Sequence, residues 1–562
     1  MHYTTTTPVV ATLPPHATLV VLIDPISTSC RIAQEISKRG HHIAALWTKS
    51  FAGETPERRE LRSPATFGCA NLRYKVELQE GRDLVWNDVN EKGDVDSSED
   101  GSNGSEEKVD PIEGVFAVVK QAARSYKLHI VGCIPGSGTG RSSRLADALA
   151  SRMGLATCLV PSSVPASPKS IASGTTSATS ATTTATDESL SMMVDVRNKN
   201  TQQILLMQSG LRSIRQVCSS SLNASITHFL DSERYPIVVK PASKSDDAPG
   251  DIVEGGGGIK LCRTKSEAIE HFSRLISNNN GDSGRNSNTV EVICQEYLRG
   301  TELIVDHVTH NSRHKTTMVW KYDKRPANGE RSVYFGMIPL DSNSHESSLA
   351  IPYVRHCLEA LGVQNGPSHA ECILTPEGPI LVNLSIRAHG GDGSWCHLAK
   401  ALTGGYSQIE ASVDAWLDVE AFDQLPDVPP APFKAHGLQV HLVSYSEGEV
   451  LSTPGFDVLK RLPSFVSLSS SVTVGSNVDY TTDLATSPGV CLLMNKDKSK
   501  LERDLEYLRY TEEINGLFTY KTHVESLARP TAMTFGVAAA AGPGDRHRRI
   551  KSLMDLDRLE RP

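Results

Sequence analysis

Residues Arg234–Leu261 read RYPIVVKPASKSDDAPGDIVEGGGGIKL, and the reading of the fold turns on them. The apolar run Ile237 to Val239 delivers one lysine, Lys240, just before Pro241. A buried strand that ends in a cation makes physical sense when an anion meets it. The bland alternative is a lysine that snorkels to water. Four glycines, Gly255 to Gly258, then lead into Ile259-Lys260-Leu261. Glycine backbones can fold over a polyphosphate because their N–H groups meet no side-chain obstruction. Alone the run reads as a linker. Behind a strand-and-lysine pair, and running into another strand, it reads as a phosphate cover.

Downstream, Val292 to Val308 reads VICQEYLRGTELIVDHV. Gln295-Glu296-Tyr297-Leu298 ends one expected strand, and Glu302 opens the next after Gly300. A nucleotide needs backbone that reads the adenine edge and a carboxylate for the ribose hydroxyls. Glu296 and Glu302 stand where these would be offered, although either alone is also an exposed acid on a hairpin. Lys321-Tyr322-Asp323-Lys324-Arg325 gives a dense cationic segment, expected at a strand end. Gly366 to Gly391, GPSHAECILTPEGPILVNLSIRAHGG, is predicted to be a hairpin turning at Pro376–Pro379. Glu371 lies on its first arm. Asn383, Ser385 and Arg387 alternate on the second and so face one side. Oxygen ligands on adjacent strands suit a Mg²⁺ ion that bridges two phosphates.

Strand–lysine, glycine loop, QEYL-G-E, KYDK and a hairpin ending in R-x-H-G-G, in that order, resemble the ATP-grasp superfamily. Within it, the chain is similar to the ATP-dependent carboxylate–amine ligases related to carnosine synthase and bacterial L-amino-acid ligases. The likeness runs from about Thr18 to about Glu525. It implies an ATP-grasp fold, with a Rossmann-like α/β domain before it and an α+β domain after it. It implies that ATP phosphorylates a small carboxylate, an amino acid for preference. An amine then attacks the acyl phosphate, giving an amide, ADP and phosphate. The residues carried over are Lys199 and Lys240 as the two ATP lysines and Gly256, Gly257 and Gly258 as the phosphate cover. Glu296, Tyr297 and Leu298 fall at the adenine hinge, and Glu302 at the ribose. Lys324 corresponds to the γ-phosphate lysine and Glu371 to the first metal ligand. Asn383 and Ser385 correspond to the further ligands of one or two Mg²⁺ ions, for which Mn²⁺ can substitute. Arg387 corresponds to the arginine that steadies the acyl phosphate. The implied partners are a small-molecule carboxylate and an amine, and relatives of this type are often homodimers.

The chain departs from the pattern at the second arm of the hairpin, and its glycine-rich turn at Gly132 also lacks the acidic residue often found in relatives. Asn383-Leu384-Ser385-Ile386-Arg387 stands where relatives carry a glutamate in the first position. The amide keeps an oxygen but loses the charge, so divalent affinity falls. Two readings follow: a ligase working with one firmly held ion, or a degenerate ATP-binding scaffold with little turnover. The attacking amine must also shed a proton. His369 and His389 are candidates, with a satisfied structural histidine as the alternative for each. Trp395 is read either as a wall of the substrate site or as core.

Upstream, Thr18 to Trp47 reads as strand, amphipathic helix from Ser29 to Arg39, and strand, the opening of an α/β domain. A helix over Val115–Tyr126, a strand at Leu128–Val131 and a glycine-rich turn, Gly132 to Gly140, continue it. That turn is either an anion site or a flexible loop. The expected domains are 1–155, with an acidic insertion at 87–109, a low-complexity linker 156–191, an ATP-grasp domain 192–430, a C-terminal domain 431–528 and a tail 529–562. The C-terminal domain is predicted to hold a strand at Leu438–Tyr445 and a helix at Lys500–Thr511. A helix is also predicted at Asp392–Tyr406.

With 562 residues, 39% hydrophobic and 22% charged, the chain can bury several cores. A net charge of −8 gives no global field for nucleic acid or for an anionic membrane. No apolar run is long enough to span a bilayer. Eleven cysteines lack metal-ligand or disulfide spacing, which points to reduced thiols and a cytoplasmic protein.

Overall fold

The computed structural model describes residues 18–46, 72–76, 129–135, 140–159, 198–242, 258–277 and 291–521, with Val196 and a few positions between 116 and 124. The acidic insertion, the linker beyond 159, Gly255 to Gly257 and the tail lie outside the described residues. The chain divides into two compact units, Met1–Tyr322 with Met337–Lys434 and Asp323–Gly336 with Ala435–Pro562.

In the first unit, β1 (Thr18–Ile23) and β2 (His42–Leu46) are apolar after their first residues and buried on both faces. Parallel strands covered by helices require that composition. They join β3 (Leu72–Val76) and β4 (His129–Pro135) in a parallel sheet of order β3-β2-β1-β4. Helix α1 (Ser29–Lys38) buries Cys30, Ile32, Ala33 and Ile36, and α2 (Gly140–Arg152) follows β4. β4 runs on through Gly132, so the glycine-rich turn is shorter than the sequence suggests.

A small antiparallel sheet comes next. It is built from β5 (Gln216–Ser219), β6 (Ile237–Pro241), β7 (Lys260–Cys262) and β8 (Val292–Glu296), in the order β5-β8-β6-β7. Helix α3 (Lys199–Gln208) precedes it, and α4 (Ala224–Ser232) and α5 (Lys265–Ser277) pack on it through Ile226, Leu230, Ala268 and Phe272. Asn198 and Asn223 cap α3 and α4 by accepting from backbone N–H groups of the first turn, which fixes where each helix begins.

The third layer is antiparallel and runs β13-β12-β9-β10, with β9 (Thr301–His310), β10 (Arg313–Ala327), β12 (Gly366–Thr375) and β13 (Gly378–Ser385). Asn311 and Ser312 turn β9 into β10 with φ of 48° and 62°, the left-handed pair of a type I′ hairpin. Helix α6 (His345–Ala360) covers one face, where Leu303, Val305, Val319, Ala370 and Leu381 meet Ala350, Val354 and Leu358. On the other face, Val308 packs against Ala411 and Ala415 of α8 (Gln408–Leu417). The predicted helix at Asp392–Tyr406 is interrupted. Asp392 has φ of 54°, which leaves a short 3₁₀ turn and then α7 (Cys396–Thr403), closed by Gly404 at φ 87°.

β10 and β11 (Glu330–Leu340) carry the chain into the second unit and back through an Asn328-Gly329 turn. Lys321–Arg325 therefore lies within a fifteen-residue strand and not at its end. The hairpin is closed by Asn328-Gly329, whose φ values of 50° and 86° suit it to that turn. In this unit β11, β14 (His436–His441), β18 (Val490–Asn495) and β16 (Phe465–Ser469) follow in order, and β15 (Gly448–Ser452) lies between β17 (Asn477–Val478) and β19 (Thr519–Tyr520). Helix α9 (Lys498–Glu513) adds Leu501 and Leu508 to a core with Val440, Cys491 and Phe518. A buried pair, Arg509 and Glu512, ties the helix to the His441 carbonyl and the Val443 amide. Among the described residues, no helix is long and apolar enough to cross a membrane.

Candidate active site

Lys240 stands at the end of β6, 3% exposed. Among the described residues its Nζ has no hydrogen-bond or ion-pair partner. Burial pushes it down to about 7, Lys199 adds to the effect, and Glu371 partly opposes it. A cation stripped of water and left without a protein partner is poised for an anion. Lys199 is the first residue of α3, and its amide donates to the Ala242 carbonyl at 3.3 Å, so the helix start meets the end of β6. The two lysines and Glu371 thus share one electrostatic neighbourhood.

Gly258 carries the chain into β7 with φ of 82°. Its carbonyl is 2.8 Å from His271 Nε2, and an added Cβ would fall 2.8 Å from Leu275 Cδ2. The left-handed φ favours glycine there, while the Leu275 side-chain end could move aside for a Cβ. Its neighbours Gly256 and Gly257 lie outside the described residues.

Two glutamines that belong to none of the sequence motifs fasten α3 to β13. Gln202 Nε2 donates to Val196 O and Leu384 O, both at 2.8 Å, and its Oε1 accepts from Leu384 N at 2.9 Å. Gln203 Nε2 donates to Leu381 O at 2.9 Å. Lys199 is therefore rigidly tied to the strand that bears Asn383 and Ser385. The only sequence signal is two adjacent amides on the inner side of a helix, a pattern too common to stand out.

At the hinge, Glu296 closes β8 and its carboxylate is occupied: it accepts from Arg215 N at 2.8 Å and pairs with the Arg215 guanidinium at 2.7 Å. That leaves backbone as what this segment can offer a ligand. Tyr297 is exposed and Leu298 follows it. Gly300 passes so close to β12 that a Cβ would lie 2.1 Å from the Leu374 carbonyl oxygen.

Register places the remaining candidates on one face. β9 and β12 pair Glu302 with Ile373, Ile304 with Glu371, and Asp306 with His369. β12 and β13 pair Glu371 with Asn383 and His369 with Ser385. Glu302, Asp306, His369, Glu371, Asn383 and Ser385 therefore point to the same side of the sheet, away from α6. Asn383 Nδ2 reaches Ser385 Oγ at 3.4 Å. Arg387 lies just beyond β13, with Nη1 on the Ala388 carbonyl at 2.8 Å. Lys324 belongs to the second unit, its Nζ 4.1 Å from the centre of the Tyr334 ring.

On this face lies a cluster whose centre, Asp306, no sequence motif marks. Asp306 is fully buried and accepts from His369 Nδ1, His389 Nδ1 and Trp320 Nε1, each at 2.9 Å. Burial alone would raise its pKa, but His389 and His369 overcome that and hold it well below the carboxylate range. His369 Nε2 lies 3.7 Å from Glu371 Oε1. Burial would lower His369, yet its two carboxylate partners push it up to about 9. His389 moves the other way, lowered by burial and by the His369 charge against the pull of Asp306. Trp395 is completely buried, stacks on His389 with ring centres 5.1 Å apart, and donates to the Gly390 carbonyl. It belongs to the core. In the sequence, Asp306 shows only as a charge in the middle of an apolar run, LIVDHV.

No family model matches the chain. Dapdiamide A synthase of Enterobacter agglomerans is 26% identical over 318 residues, covering 56% of this chain and 71% of that protein. Among solved structures, the L-amino acid ligase of Bacillus licheniformis superposes with a TM-score of 0.58 at 16% identity, covering 91% of this chain and all of that one. The N5-carboxyaminoimidazole synthetase of Staphylococcus aureus, complexed with ADP, gives 0.51 at 12% identity over 88% and 97%.

Proposed function

We propose that this chain, an ATP-grasp protein belonging with the carboxylate–amine ligases, uses ATP to phosphorylate a small carboxylate, an amino acid for preference, and joins it to an amine with release of ADP and phosphate. The observation that carries the reading is Lys240: a buried lysine with no hydrogen-bond or ion-pair partner among the described residues, beside Lys199 and Glu371, near the start of β7 at Gly258. Phosphoryl transfer is mostly positioning and charge neutralisation, and this is apparatus for both.

In this reading Lys240 and Lys199 hold the phosphates, and Gly256 to Gly258 close over them. The backbone of Glu296–Leu298 reads the adenine, and Glu302 accepts from the ribose. Arg387 neutralises the acyl phosphate as it forms. Lys324 is assigned the γ-phosphate on the order of motifs alone. The donor set suits one hard cation, with one carboxylate, one amide oxygen and one hydroxyl in register on neighbouring strands. Glu371, Asn383 and Ser385 would hold Mg²⁺, which when bound neutralises phosphoryl charge. The free cysteines are consistent with a place in the cytoplasm.

The test is ADP release with pooled amino acids, with and without Mg²⁺. Amino-acid-stimulated release that needs the ion is the expected result. Intact ATP binding with no stimulated release by any amino acid would remove the ligase reading. The neutral Asn383 opposite Glu371 would then favour the scaffold.

A further inference from the structure

The amine that attacks the acyl phosphate arrives as an ammonium ion, and one proton must leave before its lone pair is free. Two imidazoles stand on the inner face beside Glu371 and Arg387, and their surroundings separate them. His369 is spoken for at both nitrogens: Nδ1 meets Asp306 at 2.9 Å and Nε2 faces Glu371 at 3.7 Å. With a carboxylate facing each of its nitrogens, this ring leaves neither one open to a substrate. His389 is bound on one side only. Its Nδ1 is 2.9 Å from Asp306, a carboxylate that can only accept, so the hydrogen sits on Nδ1. Nε2 then carries the lone pair, and it has no hydrogen-bond partner among the described residues.

We propose that His389 Nε2 accepts the proton of the attacking amine, with Asp306 as the positioning residue that fixes its tautomer. Trp395 stacks on the ring, and the His389 amide donates to Gln408 Oε1 at 2.8 Å, so the ring is held on one face and its backbone is anchored. Burial disfavours a second proton on His389 at rest. When the proton arrives, the second oxygen of Asp306 faces the new imidazolium, as a carboxylate behind a catalytic histidine does. The step balances. The ammonium gives one proton to Nε2, the nitrogen lone pair forms the C–N bond, and the C–O bond to the phosphoryl group breaks with its electrons leaving on phosphate. The second nitrogen proton departs with the phosphate.

This inference rests on the ligase reading, and hydroxylamine separates the two. It is unprotonated at neutral pH, so it traps an acyl phosphate as a hydroxamate without a base. Wild-type protein, His389→Gln and Asp306→Asn would be supplied with ATP, Mg²⁺ and pooled amino acids, with and without hydroxylamine. For both variants, hydroxamate formation is expected to stay within about threefold of wild type. Amide formation is expected to fall by about 100-fold or more, the usual worth of a positioned base. Parallel loss of both products, or loss of neither, would overturn the proposal while leaving the ligase reading standing. No hydroxamate from wild type would overturn both. The same Asp and His atoms lie within 4.8 Å of one another, close enough to hold a metal. Stoichiometric zinc or iron in the purified wild type, lost in Asp306→Asn, would also overturn the proposal.

Discussion

Replacing Lys240 by methionine interrogates the phosphate cradle through its protons. Burial and then Lys199 hold this amine near 7 instead of 10.5. At pH 7 about half of the molecules carry it neutral, about a tenth at pH 6 and about nine-tenths at pH 8. A polyphosphate beside Nζ favours the ammonium form, so nucleotide binding draws a proton from the buffer. Calorimetric titration with Mg²⁺ and ADP, in buffers of different ionisation enthalpy, should give an uptake rising through about 0.1, 0.5 and 0.9 protons across those three pH values. In Lys240→Met the uptake should vanish and affinity should fall.

The same depression has a signed consequence for stability. Between pH 7 and 10.5 the unfolded chain binds more protons than the folded one, so this group makes stability rise with pH in that window. The penalty is fully present below pH 7, at about 5 kcal/mol. Methionine removes it, so the ligand-free variant should melt higher than wild type at pH 6 to 7, with the gap closing towards pH 10. Equal proton uptake by the two proteins, or a gap that widens with pH, would refute the reasoning.

Other substitutions probe the frame around that cradle. Gln202→Ala leaves the Leu384 amide and two carbonyls without their partner, and should cost about 2–4 kcal/mol in urea unfolding. Gly300→Ala drives a Cβ onto the Leu374 carbonyl, so a loss of at least about 3 kcal/mol, or no folded protein, is expected by circular dichroism. Leu358→Ala, under α6 in the main core, should cost about 2–5 kcal/mol without changing ADP affinity, as read by melting and titration. Asn383→Glu puts a carboxylate directly across from Glu371 and should lower the ligand-free melting temperature. With Mn²⁺ and ADP it should melt above wild type and bind more metal by electron paramagnetic resonance; unchanged metal binding would show that the asparagine suffices.

How much of the molecule is legible in its sequence follows from how local each signal is. β1 and β2 are unbroken apolar runs that declare themselves as buried strands. The Gly366–Gly391 hairpin announces its turn and its alternation, which is enough to put Asn383 and Ser385 on one face with Glu371 on the neighbouring arm. The Lys321–Arg325 segment reads as a strand end because its charges are dense, while the turn signal Asn328-Gly329 lies just past them. The interrupted helix after Asp392 turns on a left-handed residue, which a periodicity argument does not see. Asp306, Gln202 and Gln203 act over long separations: Gln202 bonds Leu384, 182 residues away, and Asp306 bonds His389, 83 away. Their roles are properties of sheet register, and one chain read alone carries no trace of such a pairing.

The buried charges of the first unit sort by what balances them. Asp306 is out of water and meets three donors, so its cost is offset inside the protein and its ionised form is favoured. Lys240 is equally out of water, meets no described donor or acceptor, and loses its grip on the proton. Desolvation is common to both, and the difference lies in the partner. A charge that the fold balances builds structure. A charge that the fold leaves unbalanced is maintained against a standing penalty, and the state that relieves it is the liganded one. By that argument Lys240 marks where the polyphosphate sits more firmly than the glycine turn does, because a glycine turn costs the protein little to keep. The same test divides the two histidines. His369 is balanced on both sides and is structure, whereas His389 is balanced on one side, and its open nitrogen is where a proton from outside the protein has a place to go.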